Sequence, residues 1–137
     1  MDLTKFKHQH EIILDNISAL RSLSKMGVTI HAHEIAKLIV SMSSTIKLHL
    51  SAEDRVLYPL LQQHRDSELN KMGKRYQEEM TKIAAEYDVF SRRWNTAASL
   101  TDQDDAFRQD ANRVLRNIYE RMSREDHDFY PTIESIE

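Results

Sequence analysis

Apolar residues recur with helical spacing in four long stretches of this chain, separated by short polar breaks. The first stretch runs from about Thr4 to Lys25 and stops at Met26-Gly27, where glycine supplies a C-terminal stop. The second runs from about His33 to His64, the third from about Asp66 to Ala98, and the fourth from about Asp102 to Ile133. Pro59 and Pro131 fall late in the second and fourth stretches. Because proline removes a helix hydrogen bond, each of these helices should bend or finish near its proline. Breaks this short force antiparallel neighbours. The pattern predicts an all-α protein, an up-down-up-down antiparallel four-helix bundle spanning residues 1–137 as a single domain.

The stripe that would face the core is not purely apolar. In the first helix Phe6, His10, Ile13 and Ile17 alternate steps of three and four, so His10 sits inside an apolar seam. In the second, Ile46, His49, Glu53, Val56 and Leu60 follow the same rhythm and put two polar residues on successive core positions. The fourth places Arg121 and Glu125 between Ile118 and Phe129. The third carries Tyr76, Met80, Ile83 and Tyr87, with Glu79 at the stripe's edge. Counted from the helix ends at about 1.5 Å per residue, His10, Glu53, Met80 and Glu125 fall near one end of the bundle. A buried imidazole or carboxylate is costly unless paired, protonated or metal-bound, so their convergence requires a cause.

Composition narrows that cause. The chain has no cysteine, which removes thiolate metal sites, disulfides and thiol catalysis, so any metal must be held by histidine and carboxylate. The net charge of -3 is spread without a basic block, and nucleic acid is not an expected partner. No apolar run approaches the ~20 residues of a membrane span, and the N-terminus opens directly into an amphipathic pattern, so no membrane association and a cytoplasmic location are expected. No nucleophile-base pair, glycine-rich phosphate loop or hydrolytic motif is visible, so the residues give no support to enzyme activity.

A repeat links the second and fourth helices. Ser51-Ala52-Glu53-Asp54-Arg55-Val56-Leu57-Tyr58-Pro59 aligns without a gap on Ser123-Arg124-Glu125-Asp126-His127-Asp128-Phe129-Tyr130-Pro131, matching at Ser, Glu, Asp, Tyr and Pro. Two readings of the polar seam follow. In one, His10, His49, Glu53 and Glu125 surround a first-row metal ion, for which imidazole with carboxylate is a suitable donor set. In the other, no metal binds and Arg121 bridges Glu125 and Glu53. The other histidines are expected to stand apart. His31 lies about 27 Å of helix from His49, His33 opens the same helix, His8 and His127 point off the seam, and His64 is near a helix end. Tyr76 and Tyr87 are expected either to pack with their hydroxyls bonded to a neighbour or to reach the metal's surroundings.

The early His10, the His49-x-x-x-Glu53 followed by Tyr58-Pro59, and the Glu125 followed by Tyr130-Pro131 together resemble the hemerythrin-like, or HHE cation-binding, family over nearly the whole chain. That resemblance implies a non-haem iron site associated with binding or sensing dioxygen, or another small diatomic ligand, and with iron handling. It assigns His10, His49, Glu53 and Glu125 to one iron and its bridging carboxylates. The family's second position departs from the pattern: Glu79-Met80 stands where a histidine is usual, and Arg121 where a second His-x-x-x-Glu would begin. One ion is therefore expected rather than two, iron before zinc or manganese, and di-iron oxygen carriage is not expected. The competing expectation is a metal-free bundle serving as a protein-interaction module, with a protein as its partner.

Overall fold

A computed structural model describes residues 2–136, and among them every regular element is helical. The long helices are α1 (Thr4–Met26), α2 (Ala32–Ala52), α4 (Ser67–Trp94) and α6 (Asp104–Arg124); α3 (Tyr58–Gln62), α5 (Ala97–Leu100) and α7 (Tyr130–Ser135) are short. α1 packs against α2 and α6, and α4 packs against the same two, which closes a ring of long helices around one core. No helix is long and apolar enough to cross a membrane.

The helix ends follow local chemistry. α1 stops at Gly27, whose φ of 136° lies outside the range other residues readily adopt and whose N–H donates to Leu23 O. Asp66 caps α4, its carboxylate accepting from the N–H groups of Glu68 and Leu69. Two expected boundaries move. The third stretch ends at Trp94, because Thr96 caps a separate turn, α5, by accepting from Ser99 N–H. The fourth begins at Asp104, because Asp102 takes φ of 60°, which a helical first turn excludes. Asp104 also accepts from Val28 N–H and the Thr29 hydroxyl, tying the α1–α2 turn to the start of α6.

The two prolines act through the turn before them. Neither helix breaks. Instead the ladder widens to π geometry over Glu53–Leu57 and again over Glu125–Phe129, and then resumes as α3 and α7. The N–H of Tyr58 reaches back five residues to Glu53 O, and that of Tyr130 does the same to Glu125 O. A proline cannot donate to the carbonyl four residues behind it, and one extra residue in the preceding turn absorbs the mismatch. This rotates everything downstream. Val56, expected on the core seam, is 40% exposed, while Leu57, Tyr58 and Leu61 are buried. The α3 segment lies close on α4 at Gly73, where a Cβ would stand 2.9 Å from Leu61 Cβ.

The interior is otherwise apolar. Its polar members are His10, His49, Glu53, Arg121 and Glu125, which sit together, and Ser91.

Candidate metal centre

α1 contributes His10, α2 His49, and the two π turns Glu53 and Glu125, so each residue of the polar set is delivered by the helix whose seam carries it. His10 Nε2, His49 Nε2 and Glu125 Oε1 form a triangle with edges of 3.1, 2.8 and 3.0 Å. All three side chains are buried. Glu53 touches this triangle from one side, its Oε1 3.3 Å from His49 Nε2.

The outer nitrogens of both rings are held. His10 Nδ1 lies 2.8 Å from Asp126 Oδ1, and His49 Nδ1 lies 2.8 Å from Gln9 Oε1. A carboxylate or an amide oxygen accepts a hydrogen bond, so each Nδ1 carries a proton and each Nε2 faces inward, where a neutral ring presents its lone pair. This arrangement is what a metal-ligating imidazole needs from its surroundings. It is also a deficit of protons: two lone pairs and two carboxylates face one another.

Protons and a guanidinium meet that deficit in the metal-free protein. Burial disfavours the charged imidazole of His49, but its bonds to Glu125 and Glu53 outweigh burial and push it up to about 10. Burial, and then the charge of Glu125, push the Glu53 carboxyl up to about 7. Glu125 is also raised by burial, but His10, His49 and Arg121 together hold it well below the usual carboxylate range. Burial and the two carboxylates drive the Tyr130 hydroxyl far up, so it stays a donor, 2.9 Å from His10 Nε2 and 3.1 Å from Glu125 Oε1.

These shifts fix the pH dependence of stability. Glu53 and His49 bind protons more tightly folded than unfolded, so what they contribute is complete below about pH 4.5 and 6.5 and is lost as pH rises toward about 7 and 10. Glu125 works the other way and loses its contribution only as the solution becomes strongly acidic. Metal-free protein should therefore lose several kcal/mol of stability between about pH 5 and pH 9 in chemical denaturation. A flat profile over that range would contradict the protonation scheme.

Arg121 is wholly buried, and its bonds define the other half of the centre. Nε donates to Glu125 Oε2 at 2.6 Å, Nη1 to Glu79 Oε1 at 3.2 Å and Nη2 to the Tyr58 hydroxyl at 3.0 Å. Its bridge to Glu53 is indirect: Tyr58 in turn donates to Glu53 Oε1 at 3.0 Å. Glu79 lies at the surface side of this pair, and Met80 is buried on α4. Tyr76 packs its ring 4.5 Å from the Arg121 guanidinium and donates to Asp128 Oδ2. Tyr87 bonds the backbone at Ile39 O, away from the polar set.

Four residues of the centre lie outside the seam reading: Tyr58, Tyr130, Asp126 and Gln9. The tyrosines were legible in the repeat. Five residues of α-helix leave two side chains about 140° apart, but the π turn brings the fifth residue back over the first. Each tyrosine can then bond the glutamate of its own repeat, Tyr58 to Glu53 and Tyr130 to Glu125. Asp126 is also matched in the repeat, by Asp54, but nothing there points it at His10; Gln9 carries no mark at all and is simply the neighbour of a seam residue.

The donor atoms fit a first-row ion. Bonds of about 2.1 Å meeting at right angles set donors about 3.0 Å apart, close to the triangle edges observed. Two imidazoles with one or two carboxylates suit iron, manganese or zinc. His10, His49 and Glu125 could hold such an ion, their ligand atoms all lying within 4.8 Å of one another.

No curated protein and no solved structure is significantly similar to the chain. A family model does match, that of the hemerythrin HHE cation-binding domain, over residues 1–133. With that match running almost from end to end, and with an all-helical fold that converges histidine and glutamate in its core, the chain belongs to the hemerythrin HHE cation-binding domain family.

Proposed function

We propose that this protein binds one non-haem metal ion, iron in preference to zinc or manganese, and uses it to sense oxygen or redox state or to handle iron. The observation that carries the proposal is the inward aim of two buried imidazole Nε2 atoms at Glu125 Oε1, each ring fixed from behind by Asp126 or Gln9. His10, His49 and Glu125 are the proposed ligands, with Glu53 as an adjoining carboxylate. A bound iron would supply a Lewis-acidic centre with a one-electron couple, suited to dioxygen or another small diatomic ligand. Around it, Tyr130 offers a fixed proton donor, and the buried aromatic and aliphatic wall excludes water.

A count of one rests on Arg121. Its permanent charge takes Glu125 Oε2, the oxygen a bridging carboxylate would offer a second ion, and would repel a cation placed beside it. The reading further takes residues 1–137 as one domain whose long helices alternate in direction. Contacts between Lys7 and Glu134, between Val28 and Asp104, and between Tyr87 and Ile39 support that alternation. A cytoplasmic setting without nucleic-acid partners fits the dispersed charge.

The same Arg121 bonds favour a second reading, a metal-free bundle that acts by binding another protein. Titration of metal-free protein with ferrous ion under anaerobic conditions separates the two. The metal reading expects saturation at about one ion per chain and a melting temperature that rises with free metal, because binding only to the folded state stabilises it by RT ln(1 + [L]/Kd). No uptake and an unchanged melting temperature would move the assignment to the interaction module.

A further inference from the structure

On the far side of Arg121 from the histidines, a solvent-open pocket of about 330 Å³ lies between α4 and α6, lined by Arg75, Tyr76, Glu79, Arg121, Arg124 and Asp128. The buried Arg121 guanidinium forms its floor, steadied by Glu125 behind and by the Tyr76 ring beside it. Glu79 lies across the opening. Its Oε1 accepts from Arg121 Nη1 at 3.2 Å and from Arg124 Nη2, and its Oε2 accepts from Arg124 Nη1 at 3.1 Å. Arg124 thus grips a carboxylate with both terminal nitrogens, the fork geometry that suits carboxylate and phosphate oxygens alike.

One guanidinium of this pocket, that of Arg75, has no carboxylate of its own among the described residues. Three guanidinium groups and two carboxylates line it; Glu125 meets the charge of Arg121 from behind, and Asp128 already accepts the Tyr76 hydroxyl at 2.5 Å. Glu79 satisfies Arg121 and Arg124, while Arg75 makes no ion pair among the described residues. Glu79 is partly exposed, on a flexible side chain that can swing into water. A singly charged ligand would only replace it. A doubly charged one would replace it, meet Arg75 as well, and present oxygens to Arg75, to Arg124 and to the one Arg121 nitrogen, Nη1, that Glu79 holds.

We propose that this pocket is a binding site for a small, doubly charged oxyanion of the phosphate class, with Glu79 holding its place in the free protein. The volume has ample room for an ion of that size and for an organic ester of it. Arg121 grips Glu125 on one side and the pocket's anion on the other, so the site abuts the buried centre without sharing its histidines.

The test uses inorganic phosphate and metal-free full-length protein, so it stands whether or not the buried centre binds metal. Calorimetric titrations would compare the unmodified protein, Glu79→Gln, and Glu79→Gln combined with Arg75→Ala or Arg124→Ala, at constant ionic strength, with acetate as the singly charged control. All three positions are at or near the surface, and circular dichroism checks that each variant folds. Removing the internal competitor should tighten phosphate binding about tenfold or more, and losing either arginine should undo about tenfold of it, while acetate binds far more weakly. Absence of saturable phosphate binding in Glu79→Gln overturns the proposal. So does binding that ignores the arginine substitutions, or that acetate matches.

Discussion

His49→Ala is expected to lose stoichiometric metal while keeping its helical fold. Two bonds set the size of the effect. His49 Nε2 lies 3.0 Å from Glu125 Oε1, and its Nδ1 is held by Gln9, so the ring is pre-aimed and its removal takes away a ligand with no mobile substitute nearby. Loss of a residue that merely orients a ligand costs about 10–100-fold in affinity, and loss of the ligand should cost more. At a free metal concentration that stabilises the unmodified protein by about 4 kcal/mol, a 100-fold weaker site retains only about 1.4 kcal/mol. Elemental analysis and melting curves with and without metal read both quantities. Asp126→Asn provides the intermediate case, since it keeps His10 but weakens the acceptor that fixes its tautomer. Full metal content in His49→Ala would remove His49 from the proposed ligand set and require another site.

Replacing Arg121 with methionine is expected to destabilise metal-free protein by about 3–5 kcal/mol, because it leaves the buried carboxylate of Glu125 without its closest cation. The methionine fills much of the same space, so the loss reports charge and hydrogen bonding more than a cavity. Metal binding should respond in the opposite sense. With the fixed positive charge gone and Glu125 Oε2 free, a cation meets less repulsion and one more oxygen, and affinity should rise by about tenfold or more. The melting-temperature increase on adding metal should then exceed that of the unmodified protein. The double substitution Arg121→His with Met80→His takes the argument further, by returning imidazoles to the side that Arg121 occupies. Its metal content should rise above one ion per chain. If the content stays at one and the spectra do not change, Arg121 is not standing in for a second ion.

How much of this was legible beforehand varies from residue to residue, for identifiable reasons. The helical class and the polar members of the seam came from periodicity, which is a local property: a residue's place on a 3.6-residue repeat does not depend on what packs against it. His10, His49, Glu53, Arg121 and Glu125 are all buried together, and each announced itself as a polar residue where an apolar one belonged. Val56 failed the same test because the reading assumed an unbroken α repeat through Glu53–Leu57. The repeat already held the remedy, since Leu57 aligns with Phe129, which was correctly placed inside.

The chain's sequence by itself therefore determined an all-helical fold, a polar seam and the absence of thiol ligands, because helical period and residue chemistry are written one residue at a time. The tertiary structure alone decided how those groups divide their bonds. It set Gln9 and Asp126 behind the two histidines, swung Tyr58 and Tyr130 over their own glutamates, and gave Arg121 to Glu125 directly but to Glu53 only through Tyr58. Each of those outcomes depends on the depth and rotation of one helix against another. A shift of one residue turns a side chain by about 100°, and no local pattern fixes that angle.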